Sequence, residues 1–178
     1  MNARPTILTL LTLCATLTAC GYRLGPATPG LTMPVAVPLV DNQTAEPELT
    51  SGCTEALVAQ LRSEGATVGD RQDAGVVIEG VVRSVEERVV AFGDTTAARS
   101  AQVEVTVVVQ LFVTREGQPV AEVRDVSGAS AYARSGDPLE VSTRQRVAQR
   151  EACGEAMANA TVGLMDVLAG GEDHGEGK

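Results

Sequence analysis

Apolar positions along this chain recur with two periods, and the switches between them mark out the elements. Val35-Ala36-Val37-Pro38-Leu39-Val40 alternates and is rich in β-branched residues, which predicts a first strand. Pro38 lacks an N–H, so that strand belongs at a sheet edge or carries a bulge. Asp41 to Pro47 reads as a turn in which Thr44, Glu46 and Pro47 start a helix. The helix spans about 47–63: Leu49, Cys53, Ala56, Leu57, Gln60 and Leu61 fall on one stripe, with Thr50, Thr54, Glu55 and Arg62 on the other side. Gly65 is its stop. A second strand covers 75–90. Its apolar parity shifts from Val76, Ile78 and Val82 to Val81, Val85 and Val89, with Gly80 as the candidate bulge. Phe92-Gly93-Asp94-Thr95-Thr96 reads as a hairpin connection. The third strand is the clearest: Ala101, Val103, Val105, Val107, Val109, Leu111 and Val113 alternate with Gln102, Glu104, Thr106, Gln110 and Thr114. That is a half-buried antiparallel strand, with Val108 and Phe112 as exceptions.

Glu116-Gly117-Gln118-Pro119 turns the chain into a fourth strand near 119–132. Asp137-Pro138 opens a long second helix, about 139–169. Cys153, Met157, Ala160, Leu164 and Leu168 form its stripe. The small residues Ala148, Ala152, Ala156 and Gly163 beside it permit close approach to a neighbour, and Arg144, Arg146, Arg150, Glu151 and Glu155 are mostly outward. The order strand, helix, three meandering strands, helix predicts an α+β domain with two helices packed on one face of a four-stranded mixed sheet.

The ends read differently. Arg4 precedes an apolar run with Ile7, Leu8, Leu10, Leu11 and Leu13, too short to span a bilayer and suited to a removable leader over 1–19. The run closes on Leu17-Thr18-Ala19-Cys20-Gly21, which resembles a bacterial lipobox. Cys20 is then the lipidation site, and several acyl chains at about 0.8 kcal/mol per buried CH₂ make a lasting anchor. The competing reading is a plain signal peptide with a chance cysteine. Gly21 rather than Asp at the next position points to outer-membrane sorting. Residues 20–34, rich in Gly and Pro, form a tether, and the Gly-rich, largely acidic stretch 170–178 is expected to be disordered.

Composition narrows the chemistry. The net charge is −9 and aromatic residues make up 2% of the chain, so nucleic acid is excluded as a partner for want of both basic patch and stacking platforms. The one histidine, His174, lies in the tail, so no catalytic base is positioned. No nucleophile elbow, phosphate loop, dinucleotide fingerprint or Cys-x-x-Cys occurs, and no metal or cofactor is called for. Asn42-Gln43-Thr44 matches a glycosylation pattern, which a lipobox-bearing bacterial chain would not use. Cys53 and Cys153 sit on inward stripes of the two helices. They either form a disulfide, as an oxidising envelope permits, or serve as two buried thiols. The topology makes the helices parallel, and Cys153 lies about four turns into its helix while Cys53 begins its own, so bonding requires a stagger.

Three stretches resemble the lipopolysaccharide-assembly lipoprotein family, LptE: Cys20-Gly21-Tyr22-Arg23-Leu24 after the lipobox; Val35 to Leu49 with its strand, Asn-x-Thr-x-Glu-Pro and helix; and Leu49, Thr54, Ala56 and Leu57 in the first helix. The resemblance implies a non-enzymatic outer-membrane lipoprotein. Such a protein plugs the lipopolysaccharide-assembly β-barrel, assists its assembly, and helps deliver lipopolysaccharide to the cell surface. It also implies lipopolysaccharide contacts through exposed basic side chains near one end of the sheet. The hairpin 91–98 has no basic residue, so the candidates are Arg88, Arg99, Arg134 and Arg144, with Arg99 and Arg134 expected at the same end. The alternative role is a periplasm-facing lipoprotein adaptor or activator of a cell-wall or secretion machine.

Overall fold

The computed structural model describes residues 34–95 and 98–170, with the backbone alone for 94–95, 98–99 and 166–170. The leader, Cys20, nearly all of the tether and the tail beyond Gly170 lie outside the described residues. Among the described residues seven elements follow one another: β1 (Val35–Ala36), β2 (Asp41–Asn42), α1 (Leu49–Ser63), β3 (Val76–Thr95), β4 (Ala98–Arg115), β5 (Gln118–Arg134) and α2 (Pro138–Gly170). They form an α+β domain with a mixed sheet of five strands rather than four, in the order β1-β3-β4-β5, with β2 also on β3.

The extra strand comes from Pro38. Of the expected strand over 35–40 only Val35–Ala36 is strand. Residues 37–40 leave the ladder, and a second short piece, Asp41–Asn42, rejoins it, both pieces parallel to β3 with Val35 opposite Val76 and Asp41 opposite Val81. Between them Val40 turns inward, 1% exposed, and its N–H donates to Thr54 Oγ1 at 2.9 Å. Asp41 and Asn42, read from sequence as turn, are therefore strand. The turn that follows is sewn by side chains. Asn42 Oδ1 accepts from Thr44 N at 3.0 Å and Thr44 Oγ1 at 2.7 Å, while Asn42 Nδ2 donates to Glu46 O at 2.7 Å. The Asn-x-Thr-x-Glu stretch thus has a local mechanical reason, an Asx turn that aims the chain into α1. The other end of α1 closes as a Schellman motif: Gly65, at φ 86°, bonds Arg62 O, and Ala66 bonds Leu61 O.

β3, β4 and β5 meander antiparallel. The parity shift in β3 is a bulge at Arg83, between Val82 and Ser84, not at Gly80. Gly80 pairs regularly with Leu111, and a Cβ there would stand 3.0 Å from Val40 Cγ2, so it is a packing glycine. A second bulge falls at Val90, and the strand runs on to Thr95 through the stretch expected to be a connection. Val89, Val90 and Phe92 carry it up to Gly93, and pairing with β4 continues through Thr95 opposite Ala98.

Both helices cover one face. Val103, Val105, Val107, Val109, Leu111 and Val113 from β4 share a single buried cluster with Leu49, Leu57 and Leu61 of α1 and Ala152, Met157 and Leu164 of α2. The helices run parallel and staggered. Arg146 Nη1 meets Glu48 Oε1 at 3.5 Å, a Cβ on Gly52 would lie 3.9 Å from Arg150 Cγ, and Cys53 is disulfide-bonded to Cys153 with Cα atoms 5.4 Å apart. α2 begins well before α1 along their common direction, which removes the offset that the sequence set against this pairing.

The tightest contact is between α2 and β5. A Cβ on Gly128 would lie 2.2 Å from Ala156 N and 2.3 Å from Ala152 O, so helix backbone rests directly on strand backbone. The small residues of α2 expected to allow close approach do so here. The same approach lets α2 cap the outer edge of β5: Ala129 N donates to Glu155 Oε2 at 2.9 Å, Asn159 Nδ2 to Ser127 O at 3.1 Å, and Ser130 Oγ to Glu151 Oε2 at 2.7 Å. Unpaired edge groups are thereby satisfied and blunted against foreign strands.

Two stability outcomes follow for denaturant or thermal unfolding. Gly128→Val should cost at least about 3 kcal/mol, because helix and strand backbones must part. Gly154→Ala on the same helix, where an added Cβ meets nothing within 4 Å, should instead stabilise by about 0.5–1 kcal/mol. Equal effects would mean that Gly128 is not the point of close approach. Asn42→Ala should cost about 1–2 kcal/mol by loosening the turn before α1.

Candidate functional site

Among the described residues no three His, Cys, Asp or Glu side chains gather as metal ligands, and no helix is long and apolar enough to cross a membrane. The polar groups that do converge lie where α2 starts and the sheet outruns it. Asp137 Oδ1 accepts from Leu139 N at 2.7 Å, and Pro138 takes the first helical position. This fixes where the helix begins, and beyond that point the helix-side face of the sheet is uncovered.

After the bulge at Arg83, β3 presents Val85, Glu87 and Val89 on the helix side, opposite Val107, Val105 and Val103. Glu87 is a carboxylate on an otherwise apolar row, and it is fully engaged. Glu87 Oε2 accepts from Arg134 Nη2 at 2.8 Å and from the Tyr132 hydroxyl at 3.2 Å, and Glu87 Oε1 accepts from Gln145 Nε2 at 2.8 Å. Arg134 also donates to the Tyr132 oxygen at 2.9 Å and stands 5.8 Å from the centre of that ring. The neighbouring Tyr132 oxygen, and then the Glu87 carboxylate, hold the Arg134 guanidinium above its ordinary range. Tyr132 is 6% exposed, whereas the Arg134 side chain remains 48% exposed. The cluster therefore holds a positive group at the surface in a fixed orientation.

Next to it the sheet offers apolar floor. Phe92, opposite Ala101, is 83% exposed, and Val89 is 41% exposed. The shallow cavity of about 310 Å³ at this end lies chiefly on the other face of the sheet, where Ala91, Gly93, Ser100, Gln102, Ala131 and Ala133 line it, and Arg134 takes no part in it. The exposed Phe92 ring, the half-exposed Val89 and the oriented arginine together form an amphipathic ledge on the helix-side face. Such a surface suits a ligand with both anionic and hydrocarbon parts.

The four candidate arginines are placed unequally. Arg134 belongs to the ledge. Arg99 pairs with Asp94 in the backbone register, two positions from Ala101, which itself pairs with Arg134, so Arg99 and Arg134 share one end of the sheet. Arg144 lies one position before Gln145 and holds the connection to α2, donating to the Ser135 carbonyl and standing 3.9 Å from Glu140 Oε2. Arg88 is not brought to this group. It pairs with Glu104 at 3.3 Å on the opposite, open face. That face is a polar surface of fixed charge, on which Gln110 and Arg124 both donate to Glu122 at 2.6 Å. The bond from Arg124 holds the Glu122 carboxyl below its usual range.

Sequence reasoning missed Glu87, Tyr132, Gln145 and Phe92 as members of a site. One signal was available: after the parity shift, Glu87 falls between Val85 and Val89 on the inward row, where a lone carboxylate demands partners.

The domain is similar to a candidate lipoprotein from Caulobacter crescentus (20% identity, 74% of this chain and 91% of that chain, TM-score 0.48). It is also similar to rare lipoprotein B from Shewanella oneidensis (14% identity, 78% and 98%, TM-score 0.49) and to a minor lipoprotein from Acinetobacter baumannii (13% identity, 75% and 92%, TM-score 0.43). No curated relative matches the sequence. The family model for lipopolysaccharide assembly, LptE, matches residues 32–160, which takes in every strand, all of α1 and most of α2; the chain belongs to the LptE family.

Proposed function

We propose that this chain is an outer-membrane lipoprotein, anchored by acyl chains on Cys20, that seats within the lipopolysaccharide-assembly β-barrel and helps pass lipopolysaccharide to the cell surface without catalysing a reaction. Family membership supports the process. The observation that carries the ligand reading is the ledge at the start of α2: Arg134, locked by Glu87 and Tyr132, beside exposed Phe92. Lipopolysaccharide joins phosphate groups to acyl chains, and an arginine takes phosphate with two parallel hydrogen bonds. The polar open face suits the aqueous lumen of a large barrel, whose interior is polar. A lipid tether raises the effective concentration of plug and barrel at the same membrane.

The role is tested by capture through a carboxy-terminal tag in mild detergent. The largest copurifying membrane protein should be a β-barrel, whereas recovery of peptidoglycan enzymes or a secretion channel would favour the adaptor role. The ledge is tested separately. In the Arg99→Glu/Arg134→Glu double variant, lipopolysaccharide affinity should fall roughly tenfold or more, with the remaining binding less sensitive to salt. Unchanged affinity in a variant that still melts cooperatively would remove the two arginines from the lipid contact.

A further inference from the structure

One reactive pair has no part in that role. Cys53 and Cys153 are bonded across 100 residues of sequence, and both are completely buried. They belong to the same aliphatic cluster as Leu49, Leu57, Ala152, Ala156 and Met157. β3, β4 and β5 all lie between them along the chain. Disulfide exchange proceeds by thiolate attack on a donor sulfur, so the donor has to reach bonding distance. A thiol enclosed by aliphatic side chains is held protonated and out of reach.

We infer that this bond is a modification installed before α1 and α2 close on one another, by an external disulfide donor of the dithiol–disulfide exchange class. In the first step the thiolate of one cysteine attacks the donor disulfide, giving a mixed disulfide and releasing one donor thiolate. In the second, the thiolate of the other cysteine attacks the chain-side sulfur, forms Cys53–Cys153 and releases the second donor thiolate. The two protons lost by the cysteines end on the donor, which is reduced by two electrons. Packing of the helices then seals the product. The bond is therefore a latch set during folding: the finished domain neither accepts it late nor gives it up readily.

The experiment starts from the mature chain, reduced and unfolded in denaturant. In one arm it is charged with oxidised glutathione, forming mixed disulfides, and then diluted to fold. In the other it is diluted first under anaerobic conditions and given oxidised glutathione after folding. Alkylation of remaining thiols, read by mass spectrometry at both cysteines, follows bond formation. The pre-charged chain should complete the bond as it folds. The folded, reduced chain should be at least about tenfold slower and should speed up in mild urea, because the helices have to part first. A reduced chain that never becomes protease-resistant supports the same order, since closure then waits for the bond. Equal rates in the two arms with no effect of urea would overturn it. So would loss of the bond from the native oxidised domain, in mild reductant, as fast as from an unfolded control.

Discussion

The fold depends on one close approach, the backbone of α2 lying on the backbone of β5 at Gly128. Any side chain there would meet Ala156 N or Ala152 O well inside van der Waals distance. The row Ala148, Ala152, Ala156 and Ala160 on the helix answers the glycine on the strand, and all four alanines are buried. The gain is dispersion contact between two main chains rather than large side-chain area. Its consequences spread outward. At this distance Glu151, Glu155 and Asn159 can reach the outer edge of β5, so one contact both packs the helix and closes the sheet edge. A long helix held so tightly at its centre has fixed ends, and its first turns deliver Gln145 to Glu87.

Bulges settle which side chains share a face. Without the extra residue at Arg83, the side chains of Val85, Glu87 and Val89 would turn to the open face of the sheet, and Tyr132 and Arg134 would lose their carboxylate. β5 has its own irregularity: Val109 pairs with Val126 and Leu111 with Val123, with Asp125 at φ 52° between them. Strongly twisted, bulged strands resist flat stacking on another sheet. This matters for a sheet with one uncovered face.

The legible and illegible parts of this chain divide along physical lines. Periodicity identified both helices, the three long strands and the α+β class because burial of one face imposes period 3.6 or 2 on many residues at once. Gly65 was readable as a stop because only the left-handed region closes that helix. Gly80 was misread because a glycine in a strand signals either a bulge or a close neighbour, and the neighbours, Val40 and Met157, are far away in sequence. Pro38 announced an edge or a bulge but not two parallel pieces, because the register belongs to β3. The ledge was the least legible part. Arg134 was named from a family resemblance, yet the partners that orient it come from β3 and α2, and no local pattern joins positions 87, 132, 134 and 145.

The parallel pairing of β1 with β3 gives the domain two unlike poles. The described chain enters beside Val76, at the end where β4 turns into β5. Phe92 and Arg134 lie near the other end of β3, some 16 residues along. At about 3.3 Å per residue that separation is roughly 50 Å. Chain entry and ledge therefore stand about the full length of β3 apart, and the register that puts β1 beside the start of β3 is what separates them. The same strand that takes the entering chain on its parallel edge carries Glu87 and Phe92 at its far end, so one long bulged strand sets both where the chain arrives and where Arg134 is oriented.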